Sequence, residues 1–338
     1  MLLSDFDFPF DPTLIADRPI EPRDQARLLV LSRQGQACAH RRITDLPMLL
    51  RTGDLLVVND TKVLPVRVTG RRRPGGGKVE LLFVKELGEQ TWEVLLKGGK
   101  VGQVLDLGTD AFCTVTESGP SRIVAHVTAN KPVRQLFQTI GRMPLPPYIK
   151  RDPEDADNTW YQTRFAKEEG SIAAPTAGLH FTDRLIESLQ ERGIRRTAVT
   201  LHVGPATFRP VKTLHVEDHR MLPEQVEISA EAAAAIMHTK SGGGRVVAIG
   251  TTVVRTLETA ADETGLVNPY RGEATNYITP GYRFRVVDAI LTNFHLPRTT
   301  LVMLVSAFAG LERLRSAYAE AVQERYRFYS YGDAMLIL

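Results

Sequence analysis

Apolar and polar residues alternate in three styles along this chain. Residues 28–33 (LLVLSR) form a short apolar run that predicts a buried strand. TDLPMLLRTGD (44–54) predicts a short helix with Thr44 as N-cap and Gly53 as its stop. LLVVNDTKVLPVRVTG (55–70) is β-branched, with a turn at Asn59-Asp60. From about 62 to 128 the runs VLPVRV, KVELLFV, WEVLL, QVLDL, FCTVT and RIVAHVT recur between Gly-rich turns, which predicts a small antiparallel barrel or sandwich. The prolines of PLPPY (144–148) force extended backbone, and RDPEDADN (151–158) is a polar connector. Beyond it the period lengthens. Thr182 caps DRLIESLQER, which stops at Gly193, and strand RTAVTLHV (196–203) follows. Ser229 caps SAEAAAAIMHTK, and strand RVVAIG (245–250) turns through Thr251-Thr252 into helix VVRTLETAADE. Strand FRVVDAILTNF (284–294), helices across 301–326 and strand AMLIL (334–338) complete the pattern.

Strands alternating with helices predict an α/β fold with a mostly parallel sheet and flanking helices. The strand-rich stretch fits a second unit, and 338 residues suit two domains. At 43% hydrophobic and 24% charged, the chain is not a disordered or fibrous one. Cys38 and Cys113 cannot supply a disulfide framework or a four-thiolate zinc site, which fits a reducing cytoplasm. MLLSDFDFPFD does not read as a signal peptide, and TTLVMLVSAFAGL (299–311) is too short to span a bilayer, so a cytoplasmic, membrane-free protein is expected.

Net charge changes the picture once it is divided. The whole chain carries +3, yet residues 62–150 hold 14 Lys/Arg against 7 Asp/Glu. A basic segment thus interrupts a mildly acidic remainder, 28 Lys/Arg against 32 Asp/Glu. Its turn RRRPGGGK places Arg71, Arg72, Arg73 and Lys78 on a hairpin tip, suited equally to tracking phosphates or to plain solvation.

Dinucleotide, Walker A, zinc-protease and nucleophile-elbow motifs are absent. His215 and His219 have metal-ligand spacing without an evident third ligand, so they read as a surface pair. The turn IGTTVVRTLE (249–258) presents helix amides suited to an anion, or is simply a well-capped turn. His180, His202 and His295 fall at strand ends or beside a capped helix, where α/β sheets collect ligands, and His219 in a polar loop.

Longer strings are more specific. SDFDFPFDPTLIADRPIEPRDQARLLVL (4–31), GDLLVVNDTKVLPVRV (53–68), YQTRFAKEEGSIAAPTAGLHFT (161–182), GGRVVAIGTTVVRTLE (243–258), VVDAILTNFHLPRTTLVMLVSAFAG (286–310) and YRFYSYGDAMLIL (326–338), with PLPPYI and TLHVG, resemble the S-adenosylmethionine:tRNA ribosyltransferase-isomerase family of bacterial queuosine biosynthesis from end to end. The resemblance implies a discontinuous α/β domain (1–61 plus 151–338) interrupted by an inserted small β-barrel domain (62–150). It implies ribosyl transfer from S-adenosylmethionine, a co-substrate, onto 7-aminomethyl-7-deazaguanine at the tRNA wobble position. The product would be epoxyqueuosine, with adenine and methionine released. No metal or other cofactor is implied, and a monomer is expected.

That chemistry needs a base, donors for departing adenine and a neutral amine. His180 and His295 are the candidate acid–base residues, with Asp60 and Glu224 as alternative bases. Thr176, Ala177 and Gly178 would let backbone approach the ligand. Thr251, Thr252 and Arg255 would hold a carboxylate or phosphate, Phe294 or Tyr331 would stack on a purine or face the sulfonium, and Arg71, Arg72, Arg73 and Lys78 would meet tRNA. Three positions depart from the family pattern: Pro205-Ala206 where a Gly-containing pair is expected, Met221-Leu222-Pro223 where His and Ser precede the Glu, and Val253 in place of a small hydroxyl residue. The competing readings are a non-catalytic tRNA-binding module and a methyltransferase. The second would carry a Gly-rich loop after its first strand.

Overall fold

The computed structural model describes residues 1–35, 38–120, 122–204 and 211–338. Pro205 and Ala206 lie outside the described residues. The strand-rich stretch closes into a six-stranded barrel, from Arg67–Arg73 through Ile123–Thr128. Alternate residues such as Val66, Val68, Leu81, Phe83, Trp92, Val94, Cys113 and Val115 point inward, as a period of two requires. Helix Val133–Ile140 plugs one side of the barrel with Phe137, whose ring lies 4.8 Å from Phe83 and 5.2 Å from Trp92.

Strands on both sides of the barrel in sequence share one nine-stranded sheet. Its order is Tyr270–Ala274, Glu224–Ile228, Arg195–Leu201, Leu55–Asn59, Val246–Ile249, Ala289–Asn293, Ala334–Ile337, Arg27–Leu31 and Cys38–Arg42. Leu55 and Val57 pack on one face with helices Ala230–Ser241, Thr251–Ala260 and Thr300–Ala309. Leu56 and Val58 pack on the other with helix Asp183–Glu191. Thr182 and Ser229 cap their helices as the sequence predicts.

The expectation of a mostly parallel sheet is corrected: the sheet is mixed. The strands Arg195–Leu201, Leu55–Asn59, Val246–Ile249 and Ala289–Asn293 run parallel, but the final strand Ala334–Ile337 is antiparallel to Ala289–Asn293. The reason lies in the connection. One helix returns the chain to the starting end of the sheet, whereas Thr300–Ala309 and Leu311–Gln323 are two, joined at Gly310, and deliver it to the opposite end. The edge strands Tyr270–Ala274 and Cys38–Arg42, and Glu224–Ile228 next to the first, are also antiparallel to their neighbours. Alternation in sequence shows that helices intervene; it does not show how many traversals they make.

Candidate functional site

Four parallel strands end together, and their carboxyl ends are unusually polar for a buried sheet. Asn59 and Asn293 close two of these strands and are each about 98–99% buried. Asn59 ties the ends of its neighbours: its Oδ1 accepts from the Thr61 and Leu201 amides at 3.1 Å, and its Nδ2 donates to the Leu201 carbonyl at 3.0 Å and to Thr252 Oγ1 at 3.3 Å. Asn293 Nδ2 donates to the Tyr329 carbonyl at 3.1 Å and lies 3.2 Å from His180 Nε2, while its Oδ1 has no partner among the described residues. A buried amide oxygen without a donor is costly.

Asn293 is also among the residues that line a cavity of about 400 Å³. One wall is the start of helix Thr251–Ala260, reached through Gly250 at φ +96°, a left-handed conformation suited to glycine. The lining also includes Tyr148 and Tyr329, ring centroids 4.0 Å apart, together with Tyr161. Tyr329 Oη is also buried without a partner among the described residues, and Tyr148 Oη lies 2.6 Å from Ser330 Oγ. Thr176, Ala177, Thr251, Thr252 and His295 line the same space. A helix amino end, an aromatic wall and polar residues at carboxyl strand ends form a built small-molecule site.

His295 Nε2 lies 2.8 Å from Thr292 Oγ1, and its amide donates to Tyr318 Oη at 2.9 Å. Burial pushes its imidazole down to about 3. His180 is likewise pushed to about 3, by burial first and then by the Arg23 guanidinium. Both rings are therefore neutral at pH 7. His180 stands behind Asn293 rather than in the cavity wall.

A second cavity, of about 520 Å³, opens where the barrel meets the sheet. Phe83, Lys85, Glu86 and Trp92 come from the barrel, and Gly170–Ile172, His202 and Glu224 from the other side. Val203 borders both cavities. Glu224 faces this space but is committed: it pairs with buried Arg255, and its Oε1 accepts from the Gly204 amide at 3.1 Å. Asp60 accepts from Thr200 Oγ1 at 2.7 Å, and burial raises its carboxyl above the usual carboxylate range.

Four placements differ from those expected. Phe294 is fully buried among Tyr318, Tyr326 and Phe328, so it packs the core and cannot stack on a ligand. Tyr331 is buried and donates to Asp157 Oδ1 at 2.8 Å; Tyr148, Tyr161 and Tyr329 supply the aromatic wall instead. Gly178 permits close packing, because a Cβ there would lie 3.0 Å from Thr163 Cγ2. Arg255 faces Glu224 and the Ala274 carbonyl, away from the first cavity. Val253 is buried in the core of the sheet's helical face. Asn293 carried a legible signal, a polar residue ending an apolar strand; Tyr329 lay hidden in a string of tyrosines.

On the barrel, Arg72 bonds Gln103 and the Lys97 carbonyl, and Arg73 pairs with Asp106 and lies over Phe112. Arg71 donates to the Gly76 carbonyl at 3.2 Å, and Lys78 is exposed.

Residues 3–337 match the model of a family described as queuosine biosynthesis protein. The chain is 49% identical to an S-adenosylmethionine:tRNA ribosyltransferase-isomerase of Moorella thermoacetica, over 100% of both chains. It is 50% identical to the one from Anaeromyxobacter sp., covering 100% of this chain and 99% of that one. A solved S-adenosylmethionine tRNA ribosyltransferase from Thermotoga maritima is 35% identical, with TM-score 0.58 over 99% of this chain and 100% of that one.

Proposed function

Since the chain belongs to the queuosine biosynthesis family of S-adenosylmethionine:tRNA ribosyltransferase-isomerases, we propose that it transfers and isomerises the ribosyl group of S-adenosylmethionine onto 7-aminomethyl-7-deazaguanine at the wobble position of tRNA. Epoxyqueuosine-tRNA is the product, and adenine and methionine leave. The enzyme acts as a monomer, with S-adenosylmethionine as co-substrate.

The first cavity takes the co-substrate, and the observation that carries this is the pairing of its two walls. Amides at Thr251 and Thr252 suit the methionine carboxylate. The tyrosine rings suit adenine or the sulfonium, a cation that a ring face attracts. Neutral His295 is a hydrogen-bond partner for departing adenine, and His180 acts one step back by fixing Asn293. Thr176 and Ala177 close the cavity wall beside them. Asp60 and the Arg255-bound Glu224 lie towards the barrel side, and their part is electrostatic. The basic barrel, with Arg71, Arg72, Arg73 and Lys78, contributes phosphate contacts, and neutralising them flattens the salt dependence of tRNA binding. The wobble base must leave the anticodon stack to react.

The test is product analysis with S-adenosylmethionine and an anticodon stem-loop carrying the aminomethyl base. Adenine and methionine in equal amounts, dependent on that base, support the reading. S-adenosylhomocysteine would mean methyl transfer, and tRNA binding without turnover would mean a binding module.

A further inference from the structure

We propose that His202 is the proton acceptor for the incoming amine, and that the second cavity is the chamber that receives the nucleobase carrying it. This rests on the reading above. The first cavity's histidines are poorly suited to that task. His180 Nε2 is occupied by the Asn293 amide, and His295 Nε2 by Thr292. Burial holds both rings neutral down to about pH 3, so neither takes up a proton near neutrality.

His202 is arranged differently. Its Nδ1 lies 2.8 Å from Thr61 Oγ1, and that hydroxyl is within 3.5 Å of the Glu168 carbonyl, which can only accept. In the proposed arrangement Thr61 donates to the carbonyl and accepts from Nδ1–H, which leaves the proton off Nε2. Nε2 is left with its lone pair and has no partner among the described residues, in a ring that lines the cavity. The ring lies flat on the Glu168–Ser171 strand because residue 170 is glycine; a Cβ there would stand 2.8 Å from the imidazole. Asp60, Glu168 and Glu227 face the ring and favour its charged form, against burial and Arg134. Burial is the largest of these influences, and the net effect is a pKa below the ordinary histidine value.

The cavity suits a base on a nucleic-acid strand. Trp92 and Phe83 give it an apolar floor; beside Glu86, Glu93, Glu224 and Glu273 stand Lys85, Arg122 (paired with Glu117) and Arg134 (paired with Glu86 and Glu169), cations that flanking phosphates would draw from those carboxylates. It adjoins the co-substrate cavity through Val203, and residues 171–174 run from one to the other. In the step itself the amine nitrogen's lone pair forms the new C–N bond to a ribosyl carbon. The electron pair displaced on the ribosyl side departs with a leaving group of the co-substrate. One N–H bond breaks, and its proton passes to His202 Nε2.

The test is single-turnover kinetics with saturating S-adenosylmethionine and the stem-loop carrying 7-aminomethyl-7-deazaguanine, read against pH. His202→Gln should slow turnover by about 10²–10⁴-fold and abolish the acidic limb of the profile. S-adenosylmethionine affinity, measured directly, should stay within about twofold. Thr61→Val, which removes only the partner of Nδ1, should give a smaller loss with the acidic limb displaced. A His202→Gln rate within about threefold of wild type, an unchanged acidic limb, or a matching loss of S-adenosylmethionine affinity would overturn the proposal. Failure of the wild-type protein to release adenine would instead overturn the reading on which it rests.

Discussion

The two ends of the parallel strands are finished in opposite ways. At the amino ends charges are matched. Asp54 is held by Arg245 at 2.6 Å and by the Arg51 amide at 2.8 Å. Asp288 takes Lys240 at 2.9 Å and the Val246 amide at 2.8 Å. At the carboxyl ends the buried Asn293 oxygen and Tyr329 hydroxyl have no partner among the described residues, and both residues line a cavity. One end is built for closure, the other keeps polar groups ready for a ligand and accepts the cost. Substitutions at the first end should move stability; those at the second should move chemistry.

Between the two ends, the largest effect is expected from Asn293→Ala. Removing the amide that holds His180 Nε2 and borders the cavity should lower turnover by about 10²–10³-fold, measured as adenine release. Asp54→Ala should do the reverse. Arg245 would be left without its carboxylate, costing about 3 kcal/mol in a denaturant melt, while turnover at a permissive temperature is unchanged. Comparable losses of turnover in both variants would erase the contrast.

Acid separates the ends without mutation. His180 and His295 have folded pKa values of about 3, below the unfolded value near 6.5. Above pH 6.5 both states are neutral, so these rings add no pH dependence there. As pH falls from about 6.5 towards 3 the unfolded chain binds protons that the folded one refuses, and stability drops by up to about 1.4 kcal/mol per pH unit for each ring. A double substitution, His180→Gln with His295→Gln, should flatten that slope in urea melts at a series of pH values.

Smaller effects sharpen the comparison. Tyr329→Phe deletes only an unpaired hydroxyl, so stability should hold while S-adenosylmethionine binding weakens about five- to tenfold. Lys240→Met, at a partly exposed ion pair, should cost under about 1 kcal/mol and leave binding alone.

Much of the fold was legible because its signals are local. Alternation marked the barrel strands, and Thr182 and Ser229 marked helix starts. Strand direction was not legible, since the Thr300–Ala309 and Leu311–Gln323 hairpin reverses it through tertiary packing. The site was legible where a residue type stands out, as with His295 or Thr251-Thr252. It failed where neighbours compete. Phe294 and Tyr331 are aromatics beside the cavity in sequence, but each is buried in a core, while Asn293 and Tyr329, one and two positions away, line the space. The partners of Arg255 and Glu224 are 31 residues apart, and no spacing rule joins them.

The contrast between the two ends is tested most directly by the affinity for S-adenosylmethionine, titrated calorimetrically into Asn293→Ala and Asp54→Ala beside the wild-type protein. Affinity should fall at least about tenfold in the first and stay at the wild-type value in the second. Equal affinities in all three proteins would contradict a co-substrate site at the carboxyl ends of the strands.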